Sequence, residues 1–231
     1  MKRASQHGVV LLLALGMARA QTVVVDRLVA IVNNNAILQS DWEIALRCEA
    51  IMDGRPPESL TEAEQKEVFG RLVDQELIRE QMRGYPTTPV TEAEVDAHIE
   101  EVRRQIAASM TGEQWLQLLQ RYGIDETDVR AKVKSQLEIL RFLDARTRPL
   151  VHVEFRAIRD YYRDRYVPDM ERQHAQPAPL SDISDRIREL ITQQRMDEQI
   201  NSWVQTLRYS ADIRVPGAAD ESETPAAESK R

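Results

Sequence analysis

The sequence has a single cysteine, Cys48, among its 231 residues. One thiol cannot form an intramolecular disulfide, so the fold has to be stabilised by the packing of apolar side chains. Ile44 and Ile51 lie about one helical turn before and after Cys48. This spacing predicts that the thiol is buried and inert.

Short catalytic and metal-binding motifs are absent as well, since no H-E-x-x-H, G-x-S-x-G, G-x-G-x-x-G or P-loop spacing occurs. His98 lies among glutamates, His174 lies in a predicted loop, and His152 stands two residues before Glu154. The last pair is conceivable as a metal site, but it is more typical of the solvated start of a helix. We therefore predict no catalytic residue, no metal and no cofactor, and hence that the protein is not an enzyme.

Basic side chains are fewer than acidic ones: 31 Lys and Arg stand against 38 Asp and Glu, which gives a formal net charge of −7 at pH 7. Nucleic acid repels a chain of this charge, so we predict no nucleic-acid partner. Long apolar runs are also lacking, because the apolar stretch at residues 9–15 is much shorter than the ~20 residues that span a bilayer. The sequence therefore predicts no membrane anchor.

The N-terminus has the pattern of an export signal. Lys2 and Arg3 form a positive region, residues 9–15 are apolar, and Ala18-Arg19-Ala20 fits a cleavage site. We predict a signal peptide at residues 1–20 that is cleaved after Ala20. The mature protein is then expected to be soluble and periplasmic.

Strand patterns occur only near the two ends of the mature chain. Residues 25–32 are rich in β-branched side chains and predict a covered strand, residues 33–35 are three asparagines suited to a turn, and residues 36–38 predict a returning strand. Residues 211–215 alternate strictly between apolar and polar, which predicts a strand with one buried face. Pairing of the first and last strands is the most economical way to bury both.

Helix signals fill the remainder. Capping boxes fit at Ser40-x-x-Glu43, Thr61-x-x-Glu64, Thr91-x-x-Glu94 and Thr111-x-x-Gln114, and Asp125 and Ser181 fit simple caps. The predicted helices span residues 41–52, 62–83, 92–109, 112–122, 126–147, 154–166 and 182–209, and residues 167–180 are a predicted loop. The fold class is therefore mainly α, a multi-helix core with a small β element formed by the N-terminal hairpin and the C-terminal strand.

Two apolar stripes have helical spacing. The first, Phe155, Ile158, Tyr162 and Tyr166, is predicted to be core. The second has large flexible and aromatic side chains that adapt to varied apolar partners, and it is either core or part of a groove for other polypeptides. Its members are Met110, Trp115, Leu118, Leu119 and Tyr122.

Four segments together resemble the SurA family of periplasmic chaperones. They are VDRLVAIVNNNAILQSDW, RLVDQELIREQMRGYPTTPVTEAEVDAHI, WLQLLQRYGIDETDVRAKVKSQLEILRFLDAR and RMDEQINSWVQTLRYSADIRV. The resemblance covers nearly the whole mature chain, with one departure at Asn35, where relatives often carry glycine. It implies a chaperone region at residues 21–150, and helices and a strand at 151–215 that complete the same core. The small and acidic residues at 216–231 predict a disordered tail.

Members of this family commonly carry one or two parvulin prolyl-isomerase domains before the final helix. Here only residues 167–180 stand in that place, which is too few for a domain. The resemblance therefore implies a chaperone core without an isomerase domain.

Three classes of function stay open. The first is an ATP-independent holdase that binds unfolded outer-membrane or other exported polypeptides, with the second apolar stripe as its client-binding residues. The second is a helical adaptor that binds one specific folded partner in the periplasm. The third is a diverged enzyme with an unrecognised site, and the resemblance favours the first.

Overall fold

The computed structural model describes residues 26–216. The predicted signal peptide and nearly all of the predicted disordered tail lie outside the described residues. The strands are β1 (Leu28–Val32), β2 (Asn35–Leu38) and β3 (Ile213–Arg214). The helices are α1 (Gln39–Met52), α2 (Glu62–Met82), α3 (Glu92–Ile106), α4 (Gly112–Tyr122), α5 (Glu126–Thr147), α6 (Phe155–Tyr161), α7 (Val167–Arg172) and α8 (Leu180–Ser210). This architecture confirms the predicted mainly α fold class.

Three of the predicted capping boxes start helices as expected. The hydroxyl groups of Thr61, Thr91 and Thr111 each accept the backbone N–H three residues later, and the side chain at that position accepts the threonine N–H in return. Each box satisfies two backbone donors that have no partner inside the helix. These local contacts explain why α2, α3 and α4 begin where the sequence predicts.

The other predicted caps are wrong. Helix α1 begins at Gln39, and the Leu38 N–H donates to the Asp41 carboxylate at 3.2 Å, while the Ser40 hydroxyl donates to Asp26. Asp125 precedes α5 without a side-chain capping bond. The Ser181 hydroxyl donates to its neighbour Asp182 at 2.8 Å, and α8 starts one residue earlier at Leu180. At Ser40 and Ser181 another acceptor and an earlier helix start displace the expected cap, whereas Asp125 occupies the N-cap position without making the capping bond.

The strands form one antiparallel sheet in the order β2-β1-β3. Val32 pairs with Ile213 in β3, which confirms that the first and last strands lie side by side. The predicted buried face of the last strand is wrong, however, because Ile213 is 38% exposed and Val215 is 39% exposed. Helix α2 contacts β1 and β2, so the helical layer covers the centre of the sheet and leaves its β3 edge to solvent.

Asn33 joins the ends of the described chain. Its backbone is left-handed, with φ +54°, a conformation that asparagine adopts more readily than most residues. The Asn33 N–H donates to the Asp212 carbonyl at 2.7 Å, and its side-chain oxygen accepts the Asp212 N–H at 2.9 Å. Its side-chain nitrogen donates to the Glu80 carboxylate at 2.6 Å. One asparagine thus connects the hairpin turn, the end of α2 and the start of β3.

The apolar core consists of clusters that separate the molecule into a body and an arm. In the body, one cluster joins the sheet to α1 and α2, a second joins α2, α5 and α8 around Phe142, and a third joins α1, α3, α4 and α5. The arm comprises residues 151–194 and has its own cluster around Ile158, Ile187 and Ile191. Helix α8, with 31 residues and a length of about 46 Å, extends from the arm into the body.

The arm differs from its prediction at two points. Helix α6 is followed by a π-helical turn at Tyr162–Tyr166 and then by α7, so Pro168 lies in a helix where a loop was expected. Pro168 stands in the first turn of α7, where a missing N–H is tolerated. Within the predicted core stripe Ile158 is fully buried, but Phe155 is 56% exposed, so the core prediction is wrong for Phe155. In residues 26–216 no helix is long and apolar enough to cross a membrane.

Candidate functional site

The second apolar stripe of the sequence forms the inner face of α4. Trp115 is 4% exposed and Leu119 is 2% exposed, and both belong to the cluster shared with α1, α3 and α5. Met110, Leu118 and Tyr122 are partly buried against the same cluster. The structure therefore brings these side chains together and packs them inward, and their client-binding role stays a prediction.

The surface on which α4 rests is built by three other helices and is here called the seat. Its apolar side chains come from α1, α3 and α5. They include Cys48, Ile51, Val95, Ile99, Val129 and Val133. The backbone of α3 runs close to that of α5, whereas α4 makes few close backbone contacts with any described helix. Helix α4 is thus held mainly by side chains.

Two hydrogen bonds add to the attachment of α4, both at its C-terminal end. The Tyr122 hydroxyl donates to the Arg55 carbonyl at 3.1 Å. The Arg47 guanidinium donates to the Gly123 carbonyl at 2.8 Å. Gly123 ends the helix in the left-handed conformation, with φ +65°, which glycine adopts without a steric cost.

The indole N–H of Trp115 is buried and has no hydrogen-bond partner within the described part of the chain. Most buried donors in proteins are paired. An unpaired one costs about 1–3 kcal/mol relative to hydration. The buried indole N–H therefore offsets part of the stabilisation that the apolar packing of α4 provides.

Cys48 contacts the α4 cluster from the side of α1. The side chain is only partly buried, less than the sequence predicts. Burial nevertheless raises the pKa of the Cys48 thiol, which keeps it protonated and a poor nucleophile at neutral pH. The only cysteine of the chain therefore lies in the seat and can report on its exposure.

Two other surfaces were not identified from the sequence. On the arm and beside it, Leu150, Phe155 and Leu190 are exposed. At the open edge of the sheet, a groove of about 390 Å³ is lined in part by Trp42, Phe69 and Val215. The Trp42 and Phe69 rings meet edge to face, with centroids 6.2 Å apart, in a packing geometry that aromatic pairs favour. Trp42 and Phe69 lie far apart in the sequence, so no sequence pattern predicts this groove.

A cleft of about 270 Å³ with both polar and apolar lining residues lies between the hairpin, α1, α2 and α5. Lys132 lines it, and burial lowers the pKa of this amine. The neighbouring Arg79 is paired with Glu76 at 2.5 Å, so the cleft combines charges of both signs. Across residues 26–216 no group of three or more His, Cys, Asp or Glu side chains is arranged to hold a metal. His152 and Glu154 are both exposed, in agreement with a solvated helix start.

No family model matches the chain. The chain is similar to a protein named chaperone SurA from Saccharophagus degradans, with 29% identity over 126 residues. The match covers 54% of this chain and 29% of that chaperone. The matched region therefore spans less than a third of the length of the chaperone that the chain resembles.

Proposed function

We propose that the protein is an ATP-independent periplasmic chaperone that holds unfolded outer-membrane or other exported polypeptides. The observation that carries the proposal is the similarity to chaperone SurA over 54% of the chain. The predicted signal peptide at residues 1–20 supports a periplasmic location. The client-binding surface includes the inner face of α4.

The distribution of apolar side chains supports a holding function. Several large apolar residues are exposed on the body and the arm, among them Met52, Leu140, Leu150, Phe155 and Leu190. Unfolded outer-membrane strands carry an apolar residue at every second position and aggregate in water unless those residues are covered. A carrier that releases clients without a nucleotide has to bind them weakly, and micromolar affinity, about −8 kcal/mol, is suitable.

The protein is further proposed to lack prolyl-isomerase activity and any other enzymatic function. Between the π-helical turn and α8 the chain forms only α7 and a short loop. The sheet of the described chain consists of β1, β2 and β3. A separate isomerase fold has no place in this segment, which supports the proposal.

Aggregation of a denatured outer-membrane protein tests the holding function. The client is diluted from urea into buffer with and without an excess of the purified protein, and light scattering is followed. We expect scattering to be suppressed without ATP. Equal aggregation in both samples, with the protein folded, would contradict the proposal, and capture of one stable folded partner would favour the adaptor.

A further inference from the structure

The seat of α4 is a preformed apolar surface that another segment of the same chain covers. Cys48 in α1, Val95 in α3 and Val133 in α5 contribute to it. Helix α3 packs directly on α5, and α1 and α5 both pack on α2, so these helices have contacts that do not depend on α4. We propose that this seat is a client-binding surface and that α4 occupies it when no client is bound. The inference rests on the proposed chaperone function and names the place where the client binds.

Helix α4 is suited to leave the seat. With 11 residues it is shorter than the ~12–15 residues below which isolated helices are marginal in water, so its order depends on the seat. Residues 107–111 and 123–125 connect it to α3 and α5 outside any helix. Displacement therefore breaks the bonds of Tyr122 and Arg47 and leaves α3 and α5 in place.

The buried N–H of Trp115 lowers the free-energy cost of this displacement. In the closed position the donor has no partner in the described chain. Water hydrates the N–H once α4 moves away. This hydration offsets part of the free energy that is lost with the apolar packing. The residue that anchors α4 thus also limits the stability of the closed position.

The sequence of α4 defines the chemistry that the seat accepts. Trp115, Leu118, Leu119 and Tyr122 lie at positions i, i+3, i+4 and i+7 and all face the seat. A client segment that presents leucine and aromatic side chains can replace them one for one. The occupant we propose is therefore an unfolded polypeptide segment rich in leucine and aromatic residues, and displacement also exposes the inner face of α4 for further client contact.

Competition between α4 and the client sets the observed affinity. A client that binds only the open form is weakened in proportion to the fraction of molecules that are open. Changes that loosen α4 without altering the seat should then tighten client binding. A client that binds elsewhere would be indifferent to α4.

The emission of Trp115 reports directly on displacement. The chain has three tryptophans, and the double variant Trp42→Phe/Trp203→Phe leaves Trp115 alone. The probe is a tryptophan-free peptide of about 10 residues in which leucine and tyrosine alternate with serine and threonine. Peptide binding is measured separately by the fluorescence anisotropy of a labelled copy, and circular dichroism checks that the variant is folded.

We expect the peptide to shift Trp115 emission to the red and to increase its quenching by acrylamide. Binding without any change in Trp115 emission would overturn the inference and leave the chaperone function intact. Absence of peptide binding, together with unsuppressed aggregation of a full-length client, would overturn both. The two failures are thus distinguishable.

The variant Tyr122→Phe tests the competition. It keeps the ring on the seat and removes the hydroxyl that donates to the Arg55 carbonyl. The loss of one such bond should lower the equilibrium ratio of closed to open molecules by about fivefold. The peptide should then bind about fivefold more tightly. Tyr209→Phe is the matched control, because Tyr209 is almost fully exposed on α8 and loses the same atom. Equal affinities of both variants and the parent would overturn the inference.

Discussion

The centre of the body and the seat of α4 hold their helices in different ways. At the centre, segments far apart in the sequence are joined both by apolar packing and by polar bonds: Asn33 binds Asp212 and Glu80, and Arg208 donates to the Gly70 carbonyl at 2.8 Å. At the seat, a short helix rests on apolar side chains with two hydrogen bonds at one end. From this difference we expect the centre to unfold only with the whole body, and α4 to open by itself.

Truncation of a buried aromatic residue in each region should give the largest contrast. Phe142 is fully buried among α2, α5 and α8, and Trp115 is nearly as buried in the seat. Phe142→Ala is expected to lower the free energy of unfolding by about 3–5 kcal/mol. Trp115→Ala should cost less, because α4 can leave the seat and so limit the loss to its own docking free energy.

Urea denaturation followed by circular dichroism measures both losses. The exposed Leu116 of α4 offers the control Leu116→Ala, which should change the unfolding free energy by less than about 0.5 kcal/mol. If Trp115→Ala destabilised the protein as much as Phe142→Ala, α4 would belong to the same cooperative unit as the centre. The comparison of the two regions would then be wrong.

The asparagine at the junction of the chain ends should have the next largest effect. Asn33→Ala removes the side-chain bonds to Asp212 and Glu80 and places alanine at φ +54°. Together these changes are expected to cost about 2–3 kcal/mol. Asn33→Gly keeps the left-handed backbone favourable and should cost about 1–2 kcal/mol for the bonds alone.

Thermal unfolding of these variants, with the exposed Asn34→Ala as control, separates the two contributions. If Asn33 holds the chain ends together, the melting temperature should be lowest for Asn33→Ala, higher for Asn33→Gly and highest for Asn34→Ala. Equal melting temperatures for all variants would show that the polar bonds of Asn33 contribute nothing to the centre.

Local chemistry explains which parts of the fold could be predicted from the sequence. Thr61, Thr91 and Thr111 satisfy backbone donors within their own helical turn. Their partners are three residues away in the sequence, so the capping role can be predicted from the local sequence. Ser40 has a competing acceptor in Asp26, which is distant along the chain. No local pattern distinguishes these two situations.

The remaining differences depend on distances between elements. The alternation at residues 211–215 predicts a strand. The exposure of that strand depends on how far α2 extends over the sheet, and α2 covers β1 and β2. For α4, helical spacing identified the residues that share a face. Whether that face contacts solvent or other helices depends on the positions of α1, α3 and α5. The spacing of residues within α4 carries no information about those positions.

The rate at which Cys48 is labelled should show a smaller effect, the local opening of α4. The thiol contacts the α4 cluster, and opening of α4 should expose it without global unfolding. With a maleimide under native conditions, Tyr122→Phe is expected to accelerate labelling by about fivefold, in line with one lost hydrogen bond. Phe142 belongs to a different cluster. If Cys48 labelling became faster only in variants that lower the global stability, such as Phe142→Ala, local opening of α4 would be contradicted.

The smallest expected effect is a dependence of the α4 attachment on acid. Hydrogen bonds from the Arg55 guanidinium, and then from Thr61, lower the pKa of Glu64 to about 2. The same Arg55 presents its carbonyl to Tyr122 of α4. Because the folded pKa lies below the unfolded value of about 4.3, the carboxylate stabilises the fold above pH 4.3, and this contribution is lost as the pH falls towards 2.

Glu64→Gln, which removes the titrating group, tests this connection. Glu64 is solvent-accessible, so the change in global stability should be slight. Cys48 is labelled here with 4,4′-dithiodipyridine, which reacts with thiols in acid, and the acceleration of labelling between pH 5 and pH 3, measured relative to a small free thiol, should be weaker than in the parent. Glu113→Gln, in the first turn of α4 and without a resolved ion pair among the described residues, is the control. If both variants kept the acid response of the parent, Arg55 would not transmit the charge of Glu64 to α4, and the attachment would rest on the apolar seat alone.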